Sequence, residues 1–410
     1  MHGIDDLLVR NDIKRAEVAI ARYLRTELTD QERAKALMYR AKTRLRSQRP
    51  DDALSDLRIA CDLNTEYRTR PDVIELLGDA HLARFEIATV GFADRSDTSQ
   101  AQAYFQQILE TFPDYRNRGW IYYQLGRIAL TNNAVESAEQ YFQRALLTPS
   151  SVRALTAYCY ERLGFTAFYE TRDLDLAVGF LDKAIDTYPA SENQAWLVQV
   201  HILRSRVLRE RQEYRSALAA ADSAVRIATG TGSENRTSLA EALLTFGEML
   251  SGFDGRERDT VTCLQQFLAT SKKPLGVDVT WSRVHEMLGD AHFKLMQYDL
   301  ASEAYEAVLQ YNPYHPWEIS LHYRIAQSYY QQNDYLSTIA AIERLINAAQ
   351  SEEEQITDYR VYDVLGNAHF ALGHYIEAEE SYRRALEAAP PNAEGLEKIK
   401  KYYHFAQELS

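Results

Sequence analysis

Three stretches of the chain repeat a glycine, an aspartate or asparagine, an alanine and a histidine: Gly78–His81, Gly289–His292 and Gly366–His369. Histidine near carboxylates is the raw material of a metal site or of acid–base chemistry. The three copies lie in separate parts of the chain, however, and each histidine takes a place where two helices pack. His285 and His292 stand seven residues apart on one helix face, about 10 Å at 1.5 Å per residue, too far for one first-row metal ion. Cys61, Cys159 and Cys263 lie about a hundred residues apart with no Cys-x-x-Cys pair, which predicts buried thiols in a reducing compartment. With 59 acidic residues, carboxylate pairs occur throughout and none singles out a general acid or base. No His-Glu-x-x-His or Gly-x-Ser-x-Gly sequence occurs, and Thr229–Ser233, though glycine-rich, lacks the Lys-Ser/Thr of a phosphate loop. The expectation is a chain that is not an enzyme and holds no metal and no cofactor.

What positions these residues is a repeated pattern, clearest from Tyr362 to Pro390. Leu365-Gly366 is followed by Tyr375, Ala378, Tyr382, Ala385-Leu386 and Pro390. Small residues recur where two helices approach, large apolar residues recur at helical spacing, and a proline stops the second helix. Such a helix hairpin cannot bury its apolar faces alone and must stack on neighbours. The expected class is therefore all-α, an α-solenoid. Successive copies are read near 4–28, 34–67, 71–113, 118–149, 157–190, 198–231 and 240–270, forming an N-terminal array over 1–270. A linker at 271–281, with Pro274 and Gly276, precedes a C-terminal array of three units over 282–392 and a capping helix over 393–410. The third copy is longer than the rest, with Phe85 to Gln100 supplying the excess as a longer first helix or as a loop.

The net charge of -13 argues against a general nucleic-acid binder. No apolar run approaches the roughly 20 residues of a membrane helix. Met1 to Arg10 carries Asp5-Asp6 and lacks the order of a secretory signal, so cytoplasm is the default. Charge is uneven along the chain. Lys35, Lys42, Arg46 and Arg49 form a basic N-terminal face by 3.6-residue counting, whereas Ser351 to Glu397 is acidic. The basic end would meet an acidic partner or, in weak head-to-tail pairing, the acidic end of another copy.

These spacings resemble the tetratricopeptide repeat, with Tyr362 at the Trp place, Leu365-Gly366 at the Leu-Gly place, His369 at the Tyr place, and Ala378, Tyr382 and Pro390 completing the pattern. About ten units can be placed. The resemblance implies a right-handed superhelix of stacked hairpins, whose first helices line a concave groove that binds a protein or peptide without catalysis. Carried onto this chain, the groove places are Asp72, Glu75 and Asp79; Trp120, Tyr123 and Arg127; Tyr158, Glu161 and Arg162; Arg206 and Arg209; Glu241 and Glu248; Glu286 and Asp290; Tyr323 and Arg324; Asp363 and Asn367. Trp120 to Arg209 joins aromatics to arginines, the types that carry interface energy, and predicts a grip on an acidic peptide. The reading is a protein-binding scaffold or adaptor. The alternative is a peptide-sensing regulator of the bacterial tetratricopeptide type. RNA binding is opposed by Glu75, Glu241 and Glu286. The carboxylate clamp of some family members has no counterpart, since Glu286, Asp290, Arg324 and Arg360 stand at its places.

Overall fold

The computed structural model describes residues 4, 7, 12–88, 95–230, 236–351 and 355–410; these residues form twenty α-helices and no strand. The chain divides into two compact units, residues 1–193 and 194–410. In the first, α1 (Ile13–Tyr23) is followed by four hairpins: α2 (Asp30–Arg46) with α3 (Pro50–Leu63), α4 (Pro71–Ile87) with α5 (Arg95–Thr111), α6 (Arg118–Thr131) with α7 (Val135–Leu147), and α8 (Leu155–Tyr169) with α9 (Leu174–Thr187). In the second, α10 (Ala195–Glu210) pairs with α11 (Tyr214–Gly230) and α12 (Arg236–Ser251) with α13 (Glu257–Thr270). Then α14 (Val279–Lys294) pairs with α15 (Tyr298–Tyr311), α16 (Glu318–Gln331) with α17 (Tyr335–Ser351), and α18 (Tyr359–Ala371) with α19 (Tyr375–Ala388), before the final α20 (Leu396–Leu409). The all-α solenoid that the periodicity predicts is the fold of the chain.

Local sequence sets the helix ends. Glu32 N–H donates to the Thr29 hydroxyl (3.3 Å) while Thr29 N–H donates to the Glu32 carboxylate (2.9 Å), a reciprocal cap on α2. Pro50 and Pro71 occupy the first turns of α3 and α4, where a missing N–H costs nothing. Asp173, Asp278 and Asp358 cap α9, α14 and α18. In the described turns inside the hairpins one residue stands at positive φ, among them Gln48, Asn133, Gln212, Met296, Asn333 and Gly373. The N–H of Ala134, Gln297 and His374 then reaches back 2.9 Å to the carbonyl of Ala129, His292 and His369, closing the helix end with a six-to-one bond.

Burial is shared between neighbours. One apolar cluster joins α1 through α4, the next α4 to α6, and the next α6 to α8 with Phe180 of α9 packed on it. In the second unit, clusters join α10 to α12, α12 to α15, α15 to α18, and α19 with α20. Phe105, Phe142, Tyr305 and Tyr382 are fully buried, each against the glycine of its own Leu-Gly pair. Burying each such ring fully contributes about 1.5–3 kcal/mol.

The long third hairpin is resolved by both of its helices: α4 runs to Ile87, and α5 starts at Arg95 and spans 17 residues. Positions 89–94 lie outside the described residues, as do 231–235 of the glycine-rich joint and 352–354 of the acidic spacer. Along the extension, Asp97 accepts from His81 Nδ1 (2.6 Å) and from Arg84 Nε (2.8 Å), tying α4 to α5. Between α13 and α14, the Asp278 N–H donates to the Tyr311 carbonyl (2.8 Å) and its side chain caps Trp281.

Candidate functional site

The first helices of the hairpins in residues 1–193 turn one face onto a groove of about 780 Å³. Helix α2 contributes Tyr39, Lys42 and Arg46, spaced to share one face. Helix α4 contributes Glu75, Asp79 and Glu86, α6 contributes Trp120, Gln124 and Arg127, and α8 contributes Tyr158. Asn117, Ser151 and Val152 come from the connecting turns.

Neutral donors hold the two inner carboxylates. Glu75 accepts from the Tyr115 hydroxyl and from Asn117 Nδ2, both at 2.7 Å. Asp79 accepts from Gln124 Nε2 at 2.6 Å and from the Trp120 indole N–H at 3.3 Å. Among the described residues, neither carboxylate has a cation within ion-pair reach. Asp79 shows some surface to the groove, but its carboxyl is walled in; that burial, with the charge of Glu75 beside it, pushes its pKa up to about 7. Burial also raises Glu75, against the pull of its two hydrogen bonds.

Two of the arginines expected to grip an acidic ligand, Arg127 and Arg162, are matched from within. Arg127 bonds Glu86 and donates to Gln124 Oε1 (2.8 Å). Arg162 lies against the buried Glu161 at 2.6 Å and over Phe165. Tyr123 is buried between Trp120, Phe142 and Tyr158, and burial pushes its hydroxyl pKa up to about 12. Of the sequence-read places in this unit, Glu75, Asp79, Trp120, Arg127 and Tyr158 line the groove together. Asp72 is turned to Arg70 (2.6 Å). From the basic face, Lys42 and Arg46 join the groove, Arg49 pairs with Asp52 (2.7 Å), and Lys35 stays exposed elsewhere. Tyr39, Asn117, Gln124 and Glu86 were missed. Tyr39 was within reach, because it precedes Lys42 by three residues and Arg46 by seven on one helix.

In residues 194–410 the corresponding faces form a smaller pocket of about 350 Å³, walled by Phe253, Met287 and Phe293 with Asp290, Lys294 and Arg324. Arg324 donates to Asp290 (2.6 Å) and lies 3.6 Å from Glu286, while the Tyr305 hydroxyl donates to Asp290 (2.6 Å). Arg209 and Arg283 both face Glu248. Arg206 is exposed, and Glu241 accepts from Gln199. Tyr323 lines a separate pocket of about 330 Å³ with Trp317 and Ile356. Asn367 donates to Asp363 (3.0 Å) and accepts from the Tyr382 hydroxyl (3.0 Å).

The remaining chemistry-bearing residues do structural work. All three cysteines are free and buried, and burial pushes the Cys159 and Cys263 thiols up to about 12, far from a reactive thiolate. His81 holds Asp97, and His292 Nδ1 meets Gln297 Oε1 at 2.8 Å, so each histidine ties the first helix of its hairpin to the start of the second. Among the described residues, no group of three His, Cys, Asp or Glu side chains is arranged to hold a metal.

Family models described as tetratricopeptide repeat match residues 359–392, and residues 90–152 and 286–354. The chain carries tetratricopeptide repeats. Solved structures resemble it over most of its length. The apo form of RapI is 13% identical, with a TM-score of 0.54, over 90% of this chain and 98% of that one. A STAND signal-transduction ATPase with a tetratricopeptide repeat sensor, from Pyrococcus horikoshii, is 17% identical, with a TM-score of 0.50, over 91% of this chain and 55% of that one. At such identities the likeness is one of fold. No curated protein matches the chain. Tetratricopeptide hairpins serve in general as protein-interaction scaffolds, and no helix among the described residues is long and apolar enough to cross a membrane.

Proposed function

We propose that the chain is a non-catalytic scaffold that holds a partner protein by a peptide segment laid along the groove of residues 12–193. The carrying observation is that Trp120, Tyr158 and Tyr39 line one open cavity of about 780 Å³ beside charged side chains from three helices. Large rings give contact area at low entropic cost, and flanking charges fix register, the usual anatomy of a recognition surface. Free buried thiols suit a reducing compartment, and we place the protein in the cytoplasm on that ground. The test replaces Tyr158 with a photo-crosslinking residue in the native cell, and Leu147, which is 87% exposed on α7, as the control. Crosslinks to a protein partner from position 158 and none from 147 are expected. Crosslinks from 147 alone would remove the groove reading.

A further inference from the structure

We propose that this groove is a two-signed slot that selects a peptide carrying a basic and an acidic residue, the basic one seated on Glu75 and Asp79 and the acidic one facing Lys42. The inference rests on the groove reading above and narrows it to a class of ligand. Glu75 and Asp79 stand one turn apart on α4 and line the cavity, with uncharged hydrogen-bond donors only: Tyr115, Asn117, Gln124 and Trp120. Hydrogen bonds from neutral groups soften the cost of burying two like charges, and the cations that act on them, Lys42 on Glu75 and Arg127 on Asp79, do so from beyond ion-pair distance. The nearest arginine of α6, Arg127, is already committed to Glu86. An incoming ammonium or guanidinium would supply a counter-charge in contact, and the aromatic rings that wall the cavity favour a cation over an anion there.

On the neighbouring helix the sign reverses. Lys42 and Arg46 lie one turn apart on the α2 face that lines the same cavity. Lys42 makes no ion pair among the described residues and rests over the Tyr39 ring, 5.7 Å from its centre. Adjacent strips of opposite sign reward a ligand with both charges and penalise one with a single sign, which sets the direction in which the peptide lies.

The probe is a phage-displayed library of random-sequence peptides, selected in parallel on the full chain and on two variants, Glu75→Gln/Asp79→Asn and Lys42→Met. Thermal melts confirm that each variant is folded. The expected result is that wild-type winners carry a basic and an acidic residue at a fixed separation. The first variant should lose basic enrichment by about tenfold and keep the acidic preference, and Lys42→Met should do the reverse. Winners of one sign or none, occluded by the groove-filling Ala83→Trp change, would overturn the two-signed slot and leave the groove reading standing. Winners indifferent to all three variants would overturn both.

Discussion

Gly126 lies flat against the ring of Phe142, so that a Cβ built on it would stand 2.5 Å from Phe142 Cε1. The same closeness joins Gly289 to Tyr305 at 2.5 Å and Gly366 to Tyr382 at 2.7 Å. One missing carbon lets the two helices of a hairpin approach until the ring of the second fills the notch of the first. Each ring is fully buried, so it has no space into which to retreat. Gly126→Ala is therefore expected to destabilise the chain by about 1–3 kcal/mol through overpacking, read as a lower urea midpoint. Gly179→Ala serves as the control, since nothing lies within 4 Å of its added carbon.

Tyr305 also reaches Asp290 with its hydroxyl, which ties the notch to the pocket of the second unit. Tyr305→Phe keeps the ring and removes the bond. A loss of about 1–2 kcal/mol is expected from a hydrogen bond to a charged acceptor. An unchanged melting curve would show that Arg324 alone satisfies Asp290.

Asp56 is the buried hub of the hairpin of α2 and α3, with 1% of its side chain exposed. It accepts from Arg40 Nε (2.9 Å) and Nη2 (2.6 Å) and from Arg44 Nη1 (2.6 Å). Asp56→Ala leaves two guanidinium groups facing an empty site and should cost about 3 kcal/mol, the low end for a broken buried pair because both arginines retain some water. Hydrogen exchange should localise the opening to α2 and α3, as expected where each hairpin depends on its neighbours.

Met296 makes the turn between α14 and α15 at φ 58 while exposing 74% of its surface, whereas Gly373 makes the matching turn of the last repeat without penalty. Met296→Gly should stabilise the chain by about 1 kcal/mol, from relief of the left-handed conformation. A fall in stability would mean that the side chain contributes contacts in excess of that cost.

The groove carboxylates make stability fall as pH rises. The Asp79 carboxyl titrates near about 7 in the folded chain against an ordinary 3.8, so across that window the folded state binds more protons than the unfolded one. Stability contributed by the bound proton is present at low pH and lost as pH climbs through 7. The charged and titratable groups around it are Glu75 and Glu86 of α4, Tyr39, Lys42 and Arg46 of α2, Arg127 of α6, Tyr158 of α8 and Tyr115 of the preceding turn. Asp79→Asn cannot gain or lose that proton. Its urea midpoint relative to wild type should rise between about pH 5 and about pH 8. A relative midpoint that falls would reverse the sign of the effect.

The hairpins were legible because their demands are local: Gly126 and Phe142, or Gly289 and Tyr305, stand sixteen residues apart in each case, within one hairpin. The groove was legible only in part. Aromatic and charged residue types at first-helix positions found Trp120, Arg127, Tyr158, Glu75 and Asp79. What composition could not tell is which charges are answered. Arg127 meets Glu86 from 41 residues away, and Gln124 reaches Asp79 from 45, one repeat length plus the extra turns of α4 and α5. Those distances become readable only when the length of the third hairpin is known. Arg127 read as a grip for acids for the same reason, and Arg162 did so although it lies against its sequence neighbour Glu161.

The most direct measurement is a calorimetric titration of the tightest library peptide into the wild-type chain and into Ala83→Trp. Ala83 lies one turn beyond Asp79 on the floor of the groove, and an indole there fills the space that Trp120 and Tyr158 leave open. The account predicts affinity at least about tenfold weaker in the variant, with its melting temperature preserved. Equal affinity in the two proteins would contradict it, because the peptide would then be bound somewhere other than this groove.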